Sequence, residues 1–148
     1  MQTRNITDED YYKVMDVLND WWGGRQMTHL LPRLFFEHFQ STSFIVEDNE
    51  VLSAFLIGFV SQTNSNEAFI HFVGVKPEFR KNGLARELYE LFFAEVRNLG
   101  CSTVRCITVP DNEGSISFHK SMGFSVSLKT EYAGPGQDRI LFSKNIAT

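Results

Sequence analysis

The most informative segment of the chain reads Val73-Gly74-Val75-Lys76-Pro77-Glu78-Phe79-Arg80-Lys81-Asn82-Gly83-Leu84-Ala85. This pattern predicts a strand that passes through a tight basic turn into a helix. The first amides of a helix have no partner within it and carry the positive end of its dipole, which suits a pyrophosphate. Gly83 and Ala85 leave room for a close approach to this backbone. Arg80, Lys81 and Arg86 add positive charge for further phosphates.

Considered by itself, this turn fits two interpretations. A helix that follows a turn often begins with Gly and basic residues for purely structural reasons. The turn also differs from the better-known nucleotide loops, because it lacks the third Gly of the dinucleotide fingerprint and the Gly-Lys-Ser/Thr ending of the NTPase loop. A second motif is therefore needed to assign it.

Composition and charge narrow the possible functions. The chain has 148 residues, which favours a single domain over residues 1–148, and its aromatic fraction of 14% excludes a disordered protein. The net charge is −4, with −6 on residues 1–70 and +2 on residues 71–148. An acidic chain argues against nucleic acid or an anionic membrane as the main partner. The basic turn therefore predicts a local anion site.

Apolar periodicity predicts the order of the secondary structure. After a short first strand, a helix capped by Thr7 ends at Gly23-Gly24, and a second helix is predicted over Thr28–Phe39, with Pro32 in or near its first turn. The other predicted elements are strands at Ser43–Glu47, Val51–Ser61 and Ala68–Val75, a helix at Gly83–Leu99, a strand at Thr103–Val109, a helix at about Asn112–Met122, and strands at Phe124–Leu128 and Ile140–Ser143. Helices that flank a mixed, mostly antiparallel sheet are the simplest packing of this order.

The cysteines and the apolar segments bear on the cellular compartment. Cys101 and Cys106 lie five positions apart in what is predicted to be one strand, so their side chains point to opposite faces and are poorly placed to bridge. No signal peptide and no apolar run long enough for a membrane span is found. We expect a reduced, cytoplasmic protein without a membrane partner.

Two motifs in order carry a resemblance to a known family. Arg80-x-x-Gly83-x-Ala85, after a Val-Gly-Val strand, resembles the acetyl-CoA motif (Gln/Arg)-x-x-Gly-x-(Gly/Ala) of the GNAT superfamily of CoA-dependent N-acyltransferases. A later block resembles that family's short helix, which Asn opens and Tyr-x-x-x-Gly-Phe closes; its residues here are Asn112, Ser115, Phe118, His119, Gly123 and Phe124. The resemblance covers roughly residues 2–146.

The resemblance implies a fold and a donor substrate. The implied fold is α+β, with a mixed, mostly antiparallel sheet of about six or seven strands, about four flanking helices and a splayed strand pair at the acetyl-CoA site. The pantetheine arm inserts there like a missing strand, and no metal is implied. The implied acetyl-CoA contacts are Val73, Gly74, Val75, Arg80, Lys81, Asn82, Gly83, Leu84, Ala85, Arg86 and Asn112.

The resemblance also implies catalytic roles. His119 occupies the position of the family's Tyr, the acid that protonates the departing thiolate, and the alternative is that His119 only packs. For the base, Glu67, Phe69 and His71 share one face of the strand that leads to the cofactor site. His71 matches a position where family members place a base, Glu67 is the second choice, and a water chain without a dedicated base is the third alternative.

The acceptor side is assigned by analogy to the first two helices and the last loop. Trp21, Trp22 and Arg25 can form an aromatic wall with a carboxylate clamp, and Tyr132 lies in the late loop. The alternative is that both Trp side chains are core or dimer contacts. Part of the apolar segment that includes Phe35, Phe36 and Phe39 is then either a homodimer interface or a pocket roof.

Three functions remain open at this point. The first is an N-acetyltransferase that moves the acetyl group of acetyl-CoA to a primary amine of a small molecule or peptide in a ternary complex. The second is a non-catalytic acyl-CoA-binding sensor, which is favoured by the presence of His119 where the family has Tyr. The third is an acyltransferase that acts on a protein or another large partner, and the acidic charge argues against RNA.

Overall fold

The computed structural model describes residues 1–148 and contains seven strands and four α-helices in the predicted order. The strands are β1 Gln2–Asn5, β2 Phe44–Asp48, β3 Val51–Val60, β4 Glu67–Val75, β5 Thr103–Thr108, β6 Ser125–Lys129 and β7 Arg139–Asn145. The helices are α1 Asp10–Trp21, α2 Leu34–His38, α3 Leu84–Asn98 and α4 Glu113–Ser121. None of these helices combines the length and apolarity that crossing a membrane requires.

All seven strands form one sheet in the order β1-β2-β3-β4-β5-β7-β6. Every neighbouring pair is antiparallel except β4 and β5, which run parallel. The helix α3 is the crossover that a parallel pair needs between its strands. The expected α+β fold with a mixed, mostly antiparallel sheet is therefore confirmed.

The two faces of the sheet are covered unequally. On one face, α3 and α4 pack on β4, β5 and β7 through a core that includes Leu88, Phe92, Val104 and Phe142. On the other face, the core formed with α1 and α2 reaches only β2, β3 and β4. No residue of β5, β6 or β7 belongs to that second core. The three strands at this end of the sheet therefore have one face without a covering helix.

The predicted second helix is wrong as a continuous element. The segment forms a 3-10 turn at Thr28–Leu30, then α2 at Leu34–His38, then another 3-10 turn at Gln40–Thr42. Pro32 lies between the first two pieces and has no amide hydrogen with which to continue a helix. The single predicted helix is therefore three short pieces that fold over β3 and β4.

The start of α1 also differs in detail from the sequence expectation. The helix begins at Asp10, and no side chain acts as its N-cap. The Asp10 carboxylate instead accepts a hydrogen bond from the Thr7 amide at 2.7 Å and pairs with Arg4 at 2.8 Å. This buried carboxylate fixes the chain entry into α1 and ties it to β1.

A bulge in β4 reverses the direction of its side chains. Ile57 pairs with Phe72 and Gly58 with Ile70, so His71 is an extra residue without a partner on β3. Before the bulge, Ala68 and Ile70 pack in the α3 core. After it, Phe72 packs in the α1 core. His71 therefore sits at the point where the strand changes faces.

The cysteines remain free, as expected, although for a partly different reason. Cys101 lies before β5 rather than within it, and only Cys106 is a strand residue. Both thiols are free and both residues are buried in the α3 core.

Gly58 tests how closely α3 packs on the sheet. A Cβ atom at this position would lie 2.4 Å from Cε1 of the buried Phe92 ring. We expect Gly58→Ala to lower the free energy of unfolding by about 1–3 kcal/mol, measured by urea denaturation. Gly114→Ala is the control, because an added Cβ in α4 meets nothing within 4 Å. This control is expected to stabilise by about 0.5–1 kcal/mol. Equal effects of the two substitutions would contradict the close packing.

Candidate active site

The basic turn has the predicted strand, turn and helix geometry. β4 ends at Val75, a 3-10 turn spans Pro77–Phe79, and Gly83 precedes α3 with φ of +78°. That left-handed conformation favours glycine. An added Cβ at Gly83 would meet nothing within 4 Å, so the space outside it is open.

The start of α3 presents a row of backbone amides without partners. The amides of Lys81, Gly83, Leu84, Ala85 and Arg86 donate to no acceptor in the protein, whereas the Glu87 amide bonds to the Gly83 carbonyl. α3 extends over 15 residues, so its dipole adds positive potential at this end. Five free donors in one short segment are suited to bind an anion.

Beside this surface, β4 and β5 separate. Their parallel pairing joins Glu67–Phe69 to Thr103–Arg105 and then stops. Beyond it, residues 70–75 of β4 and 106–108 of β5 pair only with the strands on their outer sides. Backbone groups on the facing edges are left without a strand partner. The expected splayed pair is confirmed, and it opens towards the start of α3.

The basic side chains of the turn are used in different ways. The Arg80 guanidinium donates to the carbonyls of Trp21 and Val75, which ties the end of α1 to the turn. Arg86 reaches Ser121 on α4 at 3.4 Å. Lys81 is exposed and forms no hydrogen bond or ion pair within the protein. Lys81 is thus the positively charged side chain most directly available to a ligand, whereas Arg80 holds the turn together.

Asn112 and Gly74 have structural roles in the absence of a ligand. Asn112 Oδ1 accepts from the Ser115 amide at 3.2 Å, and its Nδ2 donates to Thr108 Oγ1 at 3.1 Å. It therefore caps α4 and joins that helix to the end of β5. A Cβ at Gly74 would lie 2.5 Å from the Phe55 ring and 3.1 Å from Trp22. Only glycine lets those two rings pack against β4.

His71 faces the α1 side of the sheet at the bulge. Its Nε2–H donates to the Leu30 carbonyl at 2.7 Å, and its ring stacks on Phe35 with centroids 4.3 Å apart. Desolvation by burial lowers the pKa of His71 below its ordinary 6.5, and the Leu30 hydrogen bond opposes this only partly. At neutral pH the ring is therefore uncharged, with Nδ1 able to accept a proton.

Glu67 lies four residues earlier, where β4 and β5 are still paired. Its carboxylate forms an ion pair with Arg105 Nε at 2.6 Å. Four strand residues correspond to about 13 Å. Of the two base candidates, His71 lies where β4 and β5 begin to separate, and Glu67 lies in the part of β4 that is still paired with β5.

His119 occupies the α3 core and is 6% exposed. Its Nδ1–H donates to the Ser115 carbonyl at 2.7 Å, and its Nε2 accepts from the Tyr89 hydroxyl at 2.9 Å. The ring stacks on Phe142 with centroids 4.0 Å apart. Desolvation lowers the pKa of His119. This neutral, fully hydrogen-bonded ring favours the packing alternative over the acid, and the acid role stays a prediction.

The structure brings together only part of the predicted acceptor group. Trp21 stacks on Phe55 at 6.1 Å and Trp22 packs on Phe72 at 4.9 Å, so both rings belong largely to the α1 core. Arg25 is exposed on the turn after α1. Tyr132 is 47% exposed in the β6–β7 loop. The Arg25 amide donates to the Trp22 carbonyl at 3.3 Å, but no side-chain hydrogen bond or ring contact joins Trp21 or Trp22 to Arg25 or Tyr132.

Two surface hollows lie away from all of these residues. One is lined by Met1, Gln2 and the β2–β3 turn. The other lies between Phe39, Phe59 and Leu99, near the start of β4. The candidate site is thus an open cleft between diverging strands rather than an enclosed cavity.

Comparison with known proteins identifies the fold and the family. A model of the acetyltransferase (GNAT) family matches residues 11–124. The chain belongs to the GNAT family. This confirms the family expected from the sequence.

Individual relatives agree with this assignment. An L-2,4-diaminobutyric acid acetyltransferase of Vibrio parahaemolyticus is 36% identical over 86 residues, which cover 57% of the chain. The chain spans 47% of the length of that curated relative. A crystal structure assigned to the GNAT family from Desulfovibrio desulfuricans has a TM-score of 0.83 at 16% identity, with 99% of each chain covered.

A second solved structure holds ligands. Diaminobutyrate acetyltransferase EctA from Paenibacillus lautus, in complex with L-2,4-diaminobutyric acid and coenzyme A, has a TM-score of 0.76 at 15% identity. The match covers 99% of this chain and 96% of the Paenibacillus chain. At these identities the two structures show a shared GNAT fold.

Sequence reasoning missed the partners of both histidines in this GNAT domain. The Tyr89 hydroxyl that meets His119 comes from α3, 30 residues away, and the Leu30 carbonyl that meets His71 is 41 residues away. Tyr89 is one helical turn after Ala85, and its neighbours in the sequence give no sign that its hydroxyl bonds to His119. Only its position on the buried stripe of α3, with Leu88 and Phe92, signals that its hydroxyl needs an internal partner.

A double-mutant cycle tests the structural role of His119. His119→Phe leaves the buried Tyr89 hydroxyl without an acceptor, so we expect a loss of about 1–3 kcal/mol in the free energy of unfolding. Tyr89→Phe leaves Nε2 of His119 unpartnered and is expected to cost a similar amount. The double variant should lose less than the sum of both, by urea denaturation. Strict additivity would show that the two side chains do not interact.

Proposed function

We propose that this GNAT protein transfers the acetyl group of acetyl-CoA to a primary amine of a small molecule or peptide, in a ternary complex. The observation that carries the proposal is the row of five unpartnered amides at the start of α3, beside the opening between β4 and β5. Any helix leaves its first amides without a partner, and here the free amides of Lys81 and Gly83 extend that row into the turn.

The residues present fit an acetyl-CoA molecule. Its pyrophosphate would lie on the amides of residues 81–86, where Lys81 supplies a free positive charge. Its pantetheine arm carries amide groups that would pair with the open edge of β4 at Val73 and Val75. Arg86 would flank the phosphates from the first turn of α3.

On the acceptor side, His71 is suited to take a proton from the amine. When bound, acetyl-CoA supplies an acetyl thioester, and the amine nitrogen forms the new C–N bond as the C–S bond breaks. The amine proton would pass to Nδ1 of His71, while Nε2–H stays on the Leu30 carbonyl. The departing thiolate takes a proton from water, because His119 already donates its Nδ1–H within the core.

The choice of acceptor class rests on a sequence relative. The relative from Vibrio is named for acetylation of L-2,4-diaminobutyric acid, and its identity of 36% exceeds that of the structural neighbours. A direct test is the release of free CoA thiol when acetyl-CoA is mixed with an amine panel that includes this compound, lysine, a diamine and short peptides. Absence of turnover with every amine, while CoA still binds, would overturn the proposal.

A second candidate is an acyl-CoA-binding sensor without catalytic activity. The buried His119 favours it, because both of its ring nitrogens are already hydrogen-bonded, to the Ser115 carbonyl and to the Tyr89 hydroxyl. Calorimetry would show CoA binding under both proposals, so turnover is the measurement that discriminates them.

The anion surface can be tested at Gly83. Gly83→Glu and Gly83→Gln impose the same strain at a left-handed position and add side chains of similar size. Because glutamate also adds a negative charge beside the free amides, we expect Gly83→Glu to weaken CoA binding at least roughly tenfold more than Gly83→Gln. Isothermal titration calorimetry measures both affinities. Equal affinities of the two variants would place the pyrophosphate elsewhere.

The base can be tested through the pH dependence of kcat/KM. A base works in its neutral form, and burial lowers the pKa of His71, so kcat/KM should show, besides the ionisation of the amine substrate, an acid limb at a pH below 6.5. His71→Gln keeps a donor for Leu30 but cannot titrate, and we expect it to remove this acid limb and to lower kcat by roughly a hundredfold or more.

Glu67→Gln is the companion variant in that experiment. Loss of the acid limb in Glu67→Gln instead of His71→Gln would assign the base to Glu67. Retention of the limb and of activity in both variants would indicate a water chain without a dedicated base.

A further inference from the structure

The uncovered face of β5, β7 and β6 lies beside the proposed reaction site. Val104 and Cys106 of β5, and Ile140 and Phe142 of β7, are buried in the α3 core. Since side chains alternate along a strand, their neighbours Arg105, Ile107, Arg139 and Leu141 point to the opposite face. No helix covers this face, and Ile107 is 38% exposed there. We call it the open face.

Cations on the open face outnumber the acids that neutralise them. Arg105 is paired with Glu67. Arg139 lies directly opposite Lys129 in the β6–β7 register, and none of the ion pairs of the protein includes either residue. The nearest acid in sequence, Asp138, turns its carboxylate to the Glu131 amide at 2.7 Å. The open face thus has two cations without a counter-charge in a protein whose net charge is −4.

Two like charges placed directly opposite each other destabilise a strand pair. Arg139 Nη1 donates to the Asp138 carbonyl at 2.8 Å, but no carboxylate pairs with Arg139 or Lys129 to offset this cost. A bound anion between their side chains would offset it, and a guanidinium is suited to hold a carboxylate through two parallel hydrogen bonds.

The position of Arg139 relative to His71 limits the size of the occupant. Phe69 pairs with Arg105, so His71 lies level with Ile107 across the splay, and Ile107 pairs with Leu141. Arg139 is two residues beyond Leu141. This places Arg139 two strands away from His71, across the opening between β4 and β5, and about 7 Å further along the sheet. Part of this span is taken up by the two side chains, and the half-exposed Ile107 and Leu141 form its floor.

We propose that the open face binds the carboxylate of the acceptor at Arg139, with Lys129 beside it, and so selects a small amino acid whose reacting amine is several bonds from its carboxylate. This inference rests on the proposed acetyl transfer and names its substrate class. It replaces Arg25, which the sequence suggested for the carboxylate, with a residue on a strand beside the splay. An amine in this position reaches towards His71 while its aliphatic chain crosses Ile107 and Leu141.

Matched acceptors test the proposal in the unaltered 148-residue chain. The acceptors are L-2,4-diaminobutyrate, its methyl ester and 1,3-diaminopropane, which differ in the carboxylate while keeping a primary amine. We expect Arg139→Gln to raise KM for the acid roughly tenfold to hundredfold, with little change in kcat. We expect no such change for the ester or the diamine. Lys120→Gln on the exposed surface of α4 removes one positive charge away from the open face and should leave all three KM values unchanged.

The outcomes separate this inference from the proposed function. Equal use of acid, ester and diamine by the unaltered protein, or an equal loss for all three in Arg139→Gln, would overturn the carboxylate site. If no amine is acetylated, the proposed function fails, and calorimetric titration of L-2,4-diaminobutyrate in the presence of CoA decides the inference alone. Binding that Arg139→Gln abolishes supports the site. No binding, or equal binding in the variant, rejects it.

Discussion

The separation of β4 from β5 is the constraint on which the rest of the site depends. The two strands pair over three residues each and then diverge, while the extra residue His71 changes the direction of β4 at the same level. Divergence opens a backbone edge on β4, and the bulge directs the imidazole to the α1 side. Because α3 begins at the open end of this cleft, its free amides lie beside that edge. A continuous parallel ladder would close the cleft and bury its polar edge.

The opening between β4 and β5 has a different surface on each side. Residues 81–86 and the edge of β4 form the surface suited to the donor, and His71 with the open face forms the surface suited to the acceptor. Arg80 links the two, because its guanidinium joins the basic turn to the Trp21 carbonyl at the end of α1. The Leu30 carbonyl and the Phe35 ring hold His71 from the segment between α1 and β2. The broken second helix is thus what places partners around the imidazole.

Particular residues show which parts of the site the sequence predicts and which it does not. The basic turn, Gly83 and the Asn112 cap were predictable because each depends on its neighbours in the chain. His119 was assigned from its place in a motif, yet its environment comes from Tyr89, Phe124 and Phe142, which lie on α3, beside β6 and on β7. For Trp21 and Trp22 the sequence leaves an acceptor wall and a core role open, and packing against Phe55 and Phe72 uses most of their surface. Arg139 carried no sequence signal, because its significance depends on Lys129 across the strand pair.

By itself, the sequence determined the order of the elements, the family motifs and the strand, turn and helix geometry of the basic turn. These features rest on apolar periodicity, on glycine at a left-handed position and on helix-end chemistry, all of which act over a few residues. The tertiary structure alone decided where β4 and β5 part, which face His71 takes, that His119 is enclosed by rings, and that two cations meet on an uncovered face. Each of these depends on strand register and on packing between segments 30 or more residues apart, or across separate strands, which no local pattern encodes.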